Sequence, residues 1–382
     1  MKVYLDNSAT SWPKPPTVAK AITAYLDDYG ASPGRSGHSM SLQAARQVFE
    51  TRELLASFFN VRNSEKVIFT ANATHAINIA IKGLLKKGDH VIVSNFEHNS
   101  VIRPLRYLES LGMIEITVIP ADETAYFSLQ KFTESIKPNT KLVVCIHGSN
   151  VCGAVMPVSH IGKLCNEKQI IFMTDAAQTS GFIPVDMQKD NIDILIFTGH
   201  KKLYGPPGIG GLCINSDLSI DTLIHGGTGS KSDEEFHPGF YPDRLEAGTI
   251  NTVGIVGLKA GLEYLKEKGT DIIREHLNQL MSYFLSQLKE IDHITLYGPD
   301  SGDNRLPLVS LNVDGLLSSE LALMLDRDYG ILARAGLHCS PLAHKSLGTF
   351  PQGTLRLSLG CFNTEEEITY TIRAFKKITG NI

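Results

Sequence analysis

Polar and ionisable residues follow directly after five short apolar segments of this sequence. Their side chains comprise hydroxyls, imidazoles, amides, one carboxylate and two amines. The residues are Thr74, His98, His147, Asn150, Asp175, Gln178, Thr198, His200, Lys201 and Lys202. Taken singly, Thr74 is most simply a helix cap and Asp175 a turn residue. As a set, they offer a nucleophilic amine, an acid and base, and groups that bind an anion.

This combination matches the chemical needs of pyridoxal 5′-phosphate. A lysine amine condenses with the cofactor aldehyde, and a carboxylate such as Asp175 keeps the pyridine nitrogen protonated, so that the ring accepts electrons. Hydroxyls and the free N–H groups of a helix start, near Thr74, bind the phosphate. An imidazole or an aromatic ring stacks on the cofactor face. The set therefore favours an enzyme that binds pyridoxal phosphate.

Seven short apolar segments, each about the length of a strand, must position these side chains. They are KVIFT (66–70), HVIVS (90–94), IEITVI (114–119), KLVVCI (141–146), QIIFM (169–173), IDILIF (192–197) and GGLCI (210–214). Helical spacing of apolar residues separates most of them. Strands without polar alternation, with helices between them, are typical of a mainly parallel sheet covered on both faces. Ligands bind beyond the carboxyl ends of such strands, so we expect the polar residues at one rim.

The sequence predicts an α/β fold of two domains. A large domain, residues 15–262, would carry the seven-stranded, mainly parallel sheet. After residue 252 the pattern changes to long amphipathic helices and then shorter strand segments, which predicts a smaller α+β domain built from 1–14 and 263–382. The Gly- and Pro-rich stretch 225–243 is typical of a long loop, and such loops are often functional or mobile.

Composition excludes several classes of protein. With 382 residues, 42% of them hydrophobic, the chain can bury a sizeable core. The formal charge is 36 − 40 = −4, which favours neither nucleic acid nor an anionic membrane as a partner. No apolar run approaches the ~20 residues of a membrane span, and no signal peptide is visible, so we expect a cytoplasmic protein. The six cysteines are scattered, which supports neither disulfides nor a metal site, and Cys145 and Cys213 lie in strand-like runs typical of a core.

Several motifs resemble those of one known family. The stretch IDILIFTGHKKLYGPPGIGGL is similar to the lysine signature of class V aminotransferase-fold enzymes. The motifs EHNSVIRPL, SNVCGAVMPV, TDAAQ, LEAGTINT and RAGLHC resemble, in that order, those of cysteine desulfurases. The resemblance runs from LDNSAT to LRLSLGCFNTEEEI, which is essentially the whole chain. It implies a fold-type-I pyridoxal-phosphate transferase that forms a homodimer with its active site at the dimer interface.

The resemblance also implies roles for individual residues. Lys201, in the Gly-His-Lys motif, would bond to the cofactor aldehyde. Lys202 is the alternative, because the family often has one residue fewer between the reactive lysine and the Leu-Tyr-Gly-Pro segment than this sequence has after Lys201. His98 would stack over the ring and Asp175 would pair with its nitrogen. The other implied contacts are Gln178 and Asn150 at the ring oxygen, Thr74, Thr198 and His200 at the phosphate, and Thr249 reaching it from the partner subunit.

Cys339 is the candidate nucleophile. It lies in RAGLHCSP, a loop-like segment, and neighbouring His338 and Arg334 would favour its thiolate. The alternative is that Cys339 is a loop cysteine without a function. However, RAGLHC resembles the motif of those desulfurases that usually pass sulfur to a separate acceptor. Arg356 would bind a substrate carboxylate through parallel N–H groups, unless it forms an ordinary ion pair. Substrate contacts are also expected from Arg334 and Asn150, with His38 and Arg35 lining the entrance.

These observations predict a cysteine desulfurase that converts L-cysteine to L-alanine and leaves a persulfide on Cys339 for a sulfur acceptor. Lys201 or His98 would move the α-proton. The alternatives are a selenocysteine lyase, a transaminase or another carbon–sulfur lyase of the same fold, because the fold alone does not select the reaction. A binding protein or a regulator that holds the cofactor without turnover is less favoured. A dinucleotide-binding domain is disfavoured because GPPGIGG leads into a strand rather than a helix.

Overall fold

The computed structural model describes residues 1–34, 37–121, 127–215, 217–300 and 305–380. The strands are β1 (Val3–Tyr4), β2 (Val67–Thr70), β3 (Asp89–Ser94), β4 (Ile114–Ile119), β5 (Thr140–Ile146), β6 (Ile171–Asp175), β7 (Ile194–Thr198), β8 (Gly210–Ile214), β9 (Ile294–Tyr297), β10 (Leu308–Val313), β11 (Ile331–Leu332), β12 (Arg334–Gly336) and β13 (Thr354–Ser358). The α-helices are α1 (Pro16–Asp28), α2 (Ser39–Phe59), α3 (Ala73–Leu84), α4 (Asn99–Ser110), α5 (Leu129–Glu134), α6 (Val158–Glu167), α7 (Thr252–Lys268), α8 (Thr270–Lys289), α9 (Ser318–Tyr329), α10 (Pro341–Ser346) and α11 (Glu365–Thr379).

The seven predicted strands form one sheet in the order β2-β8-β7-β6-β5-β3-β4. The pairs β3 with β4, β3 with β5, β5 with β6, and β6 with β7 are parallel. Strand β8 is antiparallel to both of its neighbours, β2 and β7. Six strands therefore point one way, and the prediction of a mainly parallel seven-stranded sheet is confirmed.

Both faces of this sheet are covered, as uninterrupted apolar strands require. Along β7, Leu195 and Phe197 pack into one hydrophobic cluster, while Ile194 and Ile196 pack into another on the opposite face. Cys213 on β8 is fully buried with the first cluster, and Cys145 on β5 is almost fully buried there too. The prediction that these two thiols belong to the core is confirmed.

The C-terminal part of the chain carries a second, four-stranded sheet. Its order is β12-β13-β10-β9, with every pair antiparallel. The N-terminal strand β1 pairs in parallel with β11. The grouping of residues 1–14 with the C-terminal unit stays a prediction. The division of the chain at 262/263 stays a prediction, and it falls inside helix α7.

The described residues of the 225–243 loop contain neither helix nor strand. Within the parts of the chain that the structure describes, every helix is too short or too polar to cross a lipid bilayer. In the same parts, no group of three or more His, Cys, Asp or Glu residues is placed to hold a metal ion.

We expect Gly211→Ala to destabilise the large sheet. A Cβ at this position in β8 would overlap the carbonyl oxygen of Ile68 and the ring of Phe197 on the two neighbouring strands. Overpacking of this kind costs about 1–3 kcal/mol, so the urea midpoint of unfolding should fall. Gly239→Ala is the control, because its Cβ would meet nothing within 4 Å. Equal midpoints for the two variants would contradict the close packing of β8.

Candidate active site

One cavity lies at the carboxyl ends of the parallel strands. It collects most of the predicted site residues, namely Thr74, His98, Asn150, Asp175, Gln178, Thr198, His200, Lys201, Arg334, Cys339 and Arg356. Thr198 ends β7 and Asp175 ends β6, while Asn150 follows β5 and His98 follows β3. The rule that ligands bind beyond strand ends therefore located the cavity from sequence.

Lys201 lies in the turn after β7 and faces this cavity. Burial lowers the pKa of its amine to about 8; the carboxylate of Asp175 opposes the shift, while Arg356 and Arg334 add to it. Lys202 points elsewhere, since its Nζ donates to the carbonyl oxygen of Leu359 at 3.0 Å. Between the two candidate lysines, the structure therefore brings only Lys201 to the cavity.

A chain of hydrogen bonds orients His98. The backbone N–H of Ser100 donates to His98 Nδ1 at 3.0 Å, so Nδ1 is an acceptor and the neutral ring carries its proton on Nε2. Ser100 Oγ lies 2.6 Å from the same nitrogen and 2.9 Å from Thr74 Oγ1. Burial and the charge of Lys201 lower the pKa of His98 to about 4, which keeps the imidazole neutral at physiological pH.

The expectation that Thr74 caps a helix is wrong. Helix α3 is capped by Asn72, whose side chain accepts a hydrogen bond from the backbone N–H of His75. Thr74 is already within the first turn, which frees its hydroxyl for Ser100. Asn72, Ala73 and Thr74 all line the cavity, so the start of α3 still faces it, and its unpaired N–H groups are suited to an anion.

Four buried polar atoms of the cavity residues have no hydrogen-bond partner within the described part of the chain. They are Gln178 Oε1, Thr198 Oγ1, His338 Nδ1 and Arg356 Nε. Gln178 is fixed from its other end, because Nε2 donates to the carbonyl oxygen of Ser8 at 2.9 Å. Buried polar atoms are normally paired in folded proteins, so the cavity is built for a ligand that offers both donors and acceptors.

Two hydrogen bonds orient the guanidinium group of Arg356. One terminal nitrogen donates to Asp6 Oδ1 at 2.8 Å and the other to the carbonyl oxygen of Asn150 at 2.9 Å. The ion pair that sequence reasoning considered as an alternative is therefore present, and it leaves Nε free of partners among the described residues. Arg334 lies directly opposite Arg356 in the pairing of β12 with β13 and is more exposed.

Cys339 is the only exposed cysteine of the six, and it lines the cavity together with Lys201. The expectation that His338 supplies it with positive charge is wrong. His338 is buried, and its Nε2 lies 3.2 Å from the carbonyl oxygen of Thr354. Burial lowers the pKa of His338 to about 2, with Arg356 adding to the shift, so the ring stays neutral. The nearby positive groups are Lys201 and the two arginines.

Besides Lys202, three residues of the expected set do not line this cavity, namely His147, Thr249 and His38. Thr249 borders two other surface cavities, next to Ile250 and Glu246. His38 caps helix α2, where its Nδ1 accepts a hydrogen bond from the backbone N–H of Ser41. Arg35 lies outside the described residues. The roles of Thr249 at a partner's phosphate and of His38 at the entrance stay predictions.

Sequence reasoning missed the contribution of the N-terminal segment. Ser8 and Ala9 line the cavity, and Asp6 holds Arg356. The carbonyl oxygen of His200, one residue before Lys201, accepts hydrogen bonds from Lys14 Nζ at 2.7 Å and from the backbone N–H of Ser11 at 3.0 Å. The motif LDNSAT is the only signal for this segment, and it does not indicate which strand ends the segment meets.

Comparisons with known proteins agree with this geometry. The family model for class-V aminotransferases matches residues 3–370. A probable cysteine desulfurase of Methanothermobacter thermautotrophicus is 34% identical over 99% of this chain and 95% of its own length. The cysteine desulfurase IscS of Clostridium botulinum is 33% identical over 99% of this chain and 94% of its own length.

The chain belongs to the class-V aminotransferase family. Solved structures of this family are similar over the whole chain. The cysteine desulfurase of Thermococcus onnurineus superposes with a TM-score of 0.94 at 31% identity and covers 100% of this chain and 95% of its own. The cysteine desulfurase CsdA of Escherichia coli gives 0.89 at 26% identity, with the same two coverages. The fold-type-I architecture predicted from the motifs is confirmed.

Pyridoxal phosphate is the cofactor of class-V aminotransferases, and the cavity residues fit it. The free oxygen of Gln178 suits a ring hydroxyl, and the free hydroxyl of Thr198 together with the start of α3 suits a phosphate. Asp175, whose Oδ1 accepts the backbone N–H of Ala177 at 2.9 Å, suits a protonated ring nitrogen. Lys201 completes the set with a buried amine suited to an aldehyde.

We expect Lys201→Met to abolish covalent attachment of pyridoxal phosphate, because among the described residues Lys201 is the lysine that lines the cavity. Lys202→Met is the matched control, since it removes a neighbouring buried amine that is bonded to Leu359. The measurement is the visible absorbance of each purified variant, followed by borohydride reduction and peptide mass spectrometry. Cofactor found attached to Lys202 in the reduced wild-type protein would refute the assignment of Lys201.

We expect capture of the cofactor by the cofactor-free protein to accelerate with pH up to about 8 and then to level off. The neutral amine is the nucleophile, and burial lowers the pKa of Lys201 to about 8. The rate of appearance of bound-cofactor absorbance measures this. A free lysine derivative, with its ordinary pKa of about 10.4, is the reference and should keep accelerating to higher pH. Parallel profiles for protein and derivative would contradict the shift.

Proposed function

We propose that this protein is a cysteine desulfurase that uses pyridoxal phosphate to convert L-cysteine to L-alanine and a persulfide on Cys339. One observation carries the proposal: an exposed thiol, Cys339, lines the same cavity as the buried amine of Lys201. A transaminase needs the amine but has no use for the thiol. The relatives named cysteine desulfurase, at 33–34% identity over almost the whole chain, support the same reaction.

Arg356 would bind the substrate carboxylate. Asp6 and the carbonyl oxygen of Asn150 hold its two terminal nitrogens and so orient the guanidinium plane. The free Nε would then point one N–H at a carboxylate oxygen. Asp6 also offsets part of the charge that Arg334 and Arg356 place on neighbouring strands.

The cofactor, when bound, would supply a reactive aldehyde for the substrate amine and a ring able to withdraw electrons from Cα. Lys201 is the base for the proton on Cα, because its lowered pKa leaves part of the amine neutral at physiological pH. His98 is poorly suited to that step, since Nδ1 is occupied by Ser100 and Nε2 already carries a proton. Its imidazole is a neutral donor that would pack against the ring.

Cys339 would then act as thiolate on the substrate sulfur. A sulfur–sulfur bond forms while the substrate Cβ–sulfur bond breaks, and the electron pair of that bond stays with carbon. Cβ takes up a proton and becomes the methyl group of alanine, and Cα takes back the proton that Lys201 removed. The carbon is reduced and the sulfur is oxidised to the same extent, so no external oxidant is required. A thiol must later remove the outer sulfur from Cys339.

We extend the proposal to the assembly and the setting of the enzyme. In a homodimer, Thr249 would serve the partner's cofactor, and its position outside the cavity of its own chain supports this. A separate sulfur acceptor would collect the persulfide, which the exposure of Cys339 would allow. A cytoplasmic location agrees with six free cysteines and with the reducing thiols that turnover requires.

Replacing Cys339 with Ser should separate cofactor binding from desulfuration. We expect Cys339→Ser to keep the absorbance of bound cofactor and to lose at least about a thousandfold in alanine and sulfide release from L-cysteine with dithiothreitol present. A hydroxyl does not accept sulfur, which is the reason for the loss. Cys361→Ser is the control, because Cys361 lies outside the cavity. Full activity of Cys339→Ser would remove this thiol from the reaction.

A further inference from the structure

The backbone that carries Cys339 is held in an unfavourable conformation. His338 has φ 47° and Cys339 has φ 61°, so two successive residues with Cβ atoms lie in the left-handed region. Residues that carry a Cβ rarely adopt this backbone conformation, because it brings steric strain that glycine would not have. Such conformations persist only where surrounding contacts enforce them, and they cluster at functional sites. The contacts around Cys339 therefore indicate what this conformation serves.

The side-chain amide of Asn150 bridges the residues on both sides of Cys339. Its Nδ2 donates to the carbonyl oxygen of His338 at 2.6 Å, and its Oδ1 accepts from the hydroxyl of Ser340 at 2.9 Å. Asn150 and Ser340 are almost completely buried, so water does not compete for these bonds. The carbonyl oxygen of His338 can only accept, so it fixes which end of the amide is nitrogen, and the amide oxygen is then left to accept from Ser340.

A third bond fixes Cys339 itself. The backbone N–H of Asn99 donates to the carbonyl oxygen of Cys339 at 2.8 Å. Asn99 begins helix α4, next to His98 in the cavity wall. The carbonyl group of His338, the carbonyl group of Cys339 and the hydroxyl of Ser340 are thus each tied to Asn150 or Asn99, while Cys339 itself stays exposed.

We propose that Ser340 and Asn150 together are a clamp that positions the Cys339 thiol for attack on the substrate sulfur. The clamp sets the left-handed backbone of residues 338 and 339, and that backbone aims Sγ into the cavity. Ser340 is a positioning residue, because it acts through Asn150 and lies outside the cavity lining. The role in sulfur transfer depends on the proposed desulfurase activity, whereas the clamp itself does not.

The local turn does not by itself need the hydroxyl of Ser340. The backbone N–H of Ser340 already closes the turn to the carbonyl oxygen of Leu337 at 2.9 Å, and Pro341 starts helix α10 directly afterwards. Asn150 is also tied to the expected carboxylate site, since its own carbonyl oxygen accepts from Arg356 at 2.9 Å. The same residue therefore links the thiol loop to the guanidinium that would hold the substrate.

The test compares Ser340→Ala and Ser340→Thr with the wild-type holoenzyme. We expect Ser340→Ala to lower kcat for alanine release about 10- to 100-fold with KM for cysteine changed less than about twofold, because a displaced thiol slows the chemical step and leaves substrate binding intact. Ser340→Thr retains the hydroxyl and should recover kcat to within about threefold. Thr51→Val is the control, since it removes another fully buried hydroxyl, bonded to Gln47 within α2.

Hydrogen–deuterium exchange of the peptide covering residues 337–340 gives a readout that does not need turnover. We expect faster exchange there in Ser340→Ala, with wild-type exchange in Ser340→Thr and Thr51→Val. Unchanged exchange in Ser340→Ala would overturn the clamp. Faster exchange with unchanged kcat, or an equal loss of kcat in Thr51→Val, would overturn its positioning role. A wild-type enzyme that releases no alanine from cysteine would instead refute the proposed function and leave the exchange result to decide the clamp.

Discussion

Removal of the Lys201 amine from water is the interaction on which the chemistry of this site depends. The amine lies at the end of a buried strand, and burial lowers its pKa to about 8. The same seclusion keeps His98 and His200 neutral, with a pKa of about 4 for each. The low dielectric thus gives a nucleophilic amine and two uncharged imidazoles within one cavity. Asp175 is the carboxylate that balances the lysine charge.

The N-terminal segment contributes to this seclusion, because Ser8 and Ala9 form part of the cavity wall. Lys14 and Ser11 hold the carbonyl oxygen that precedes Lys201, and Asp6 holds Arg356. Lys14 is itself a half-buried cation whose pKa is lowered by burial to about 8. A segment of fewer than ten residues therefore braces both the lysine turn and the guanidinium group of Arg356, although these belong to different sheets.

The large sheet could be predicted from sequence because its strands are uninterrupted apolar runs with nearly the right bounds. The cavity could be predicted because residues at strand ends share one rim, whichever order the strands take. Contacts between distant segments could not, since Lys14 meets a carbonyl group 186 positions away. The cap of α3 was misassigned because Asn72 and Thr74 are both good capping types. The left-handed backbone at Cys339 could not be predicted from sequence, since neither His nor Cys favours a positive φ as glycine does.

Helix α7 runs without a break through residue 262, and β1 returns to pair with β11 beside the second sheet. The segment that follows β1 bonds to both units, since Asp6 accepts from Arg356 and the backbone N–H of Ser11 donates to the carbonyl oxygen of His200. Rotating one sheet against the other would disturb these hydrogen bonds. We therefore expect substrate entry and product release to depend on loops and side chains at the mouth of the cavity.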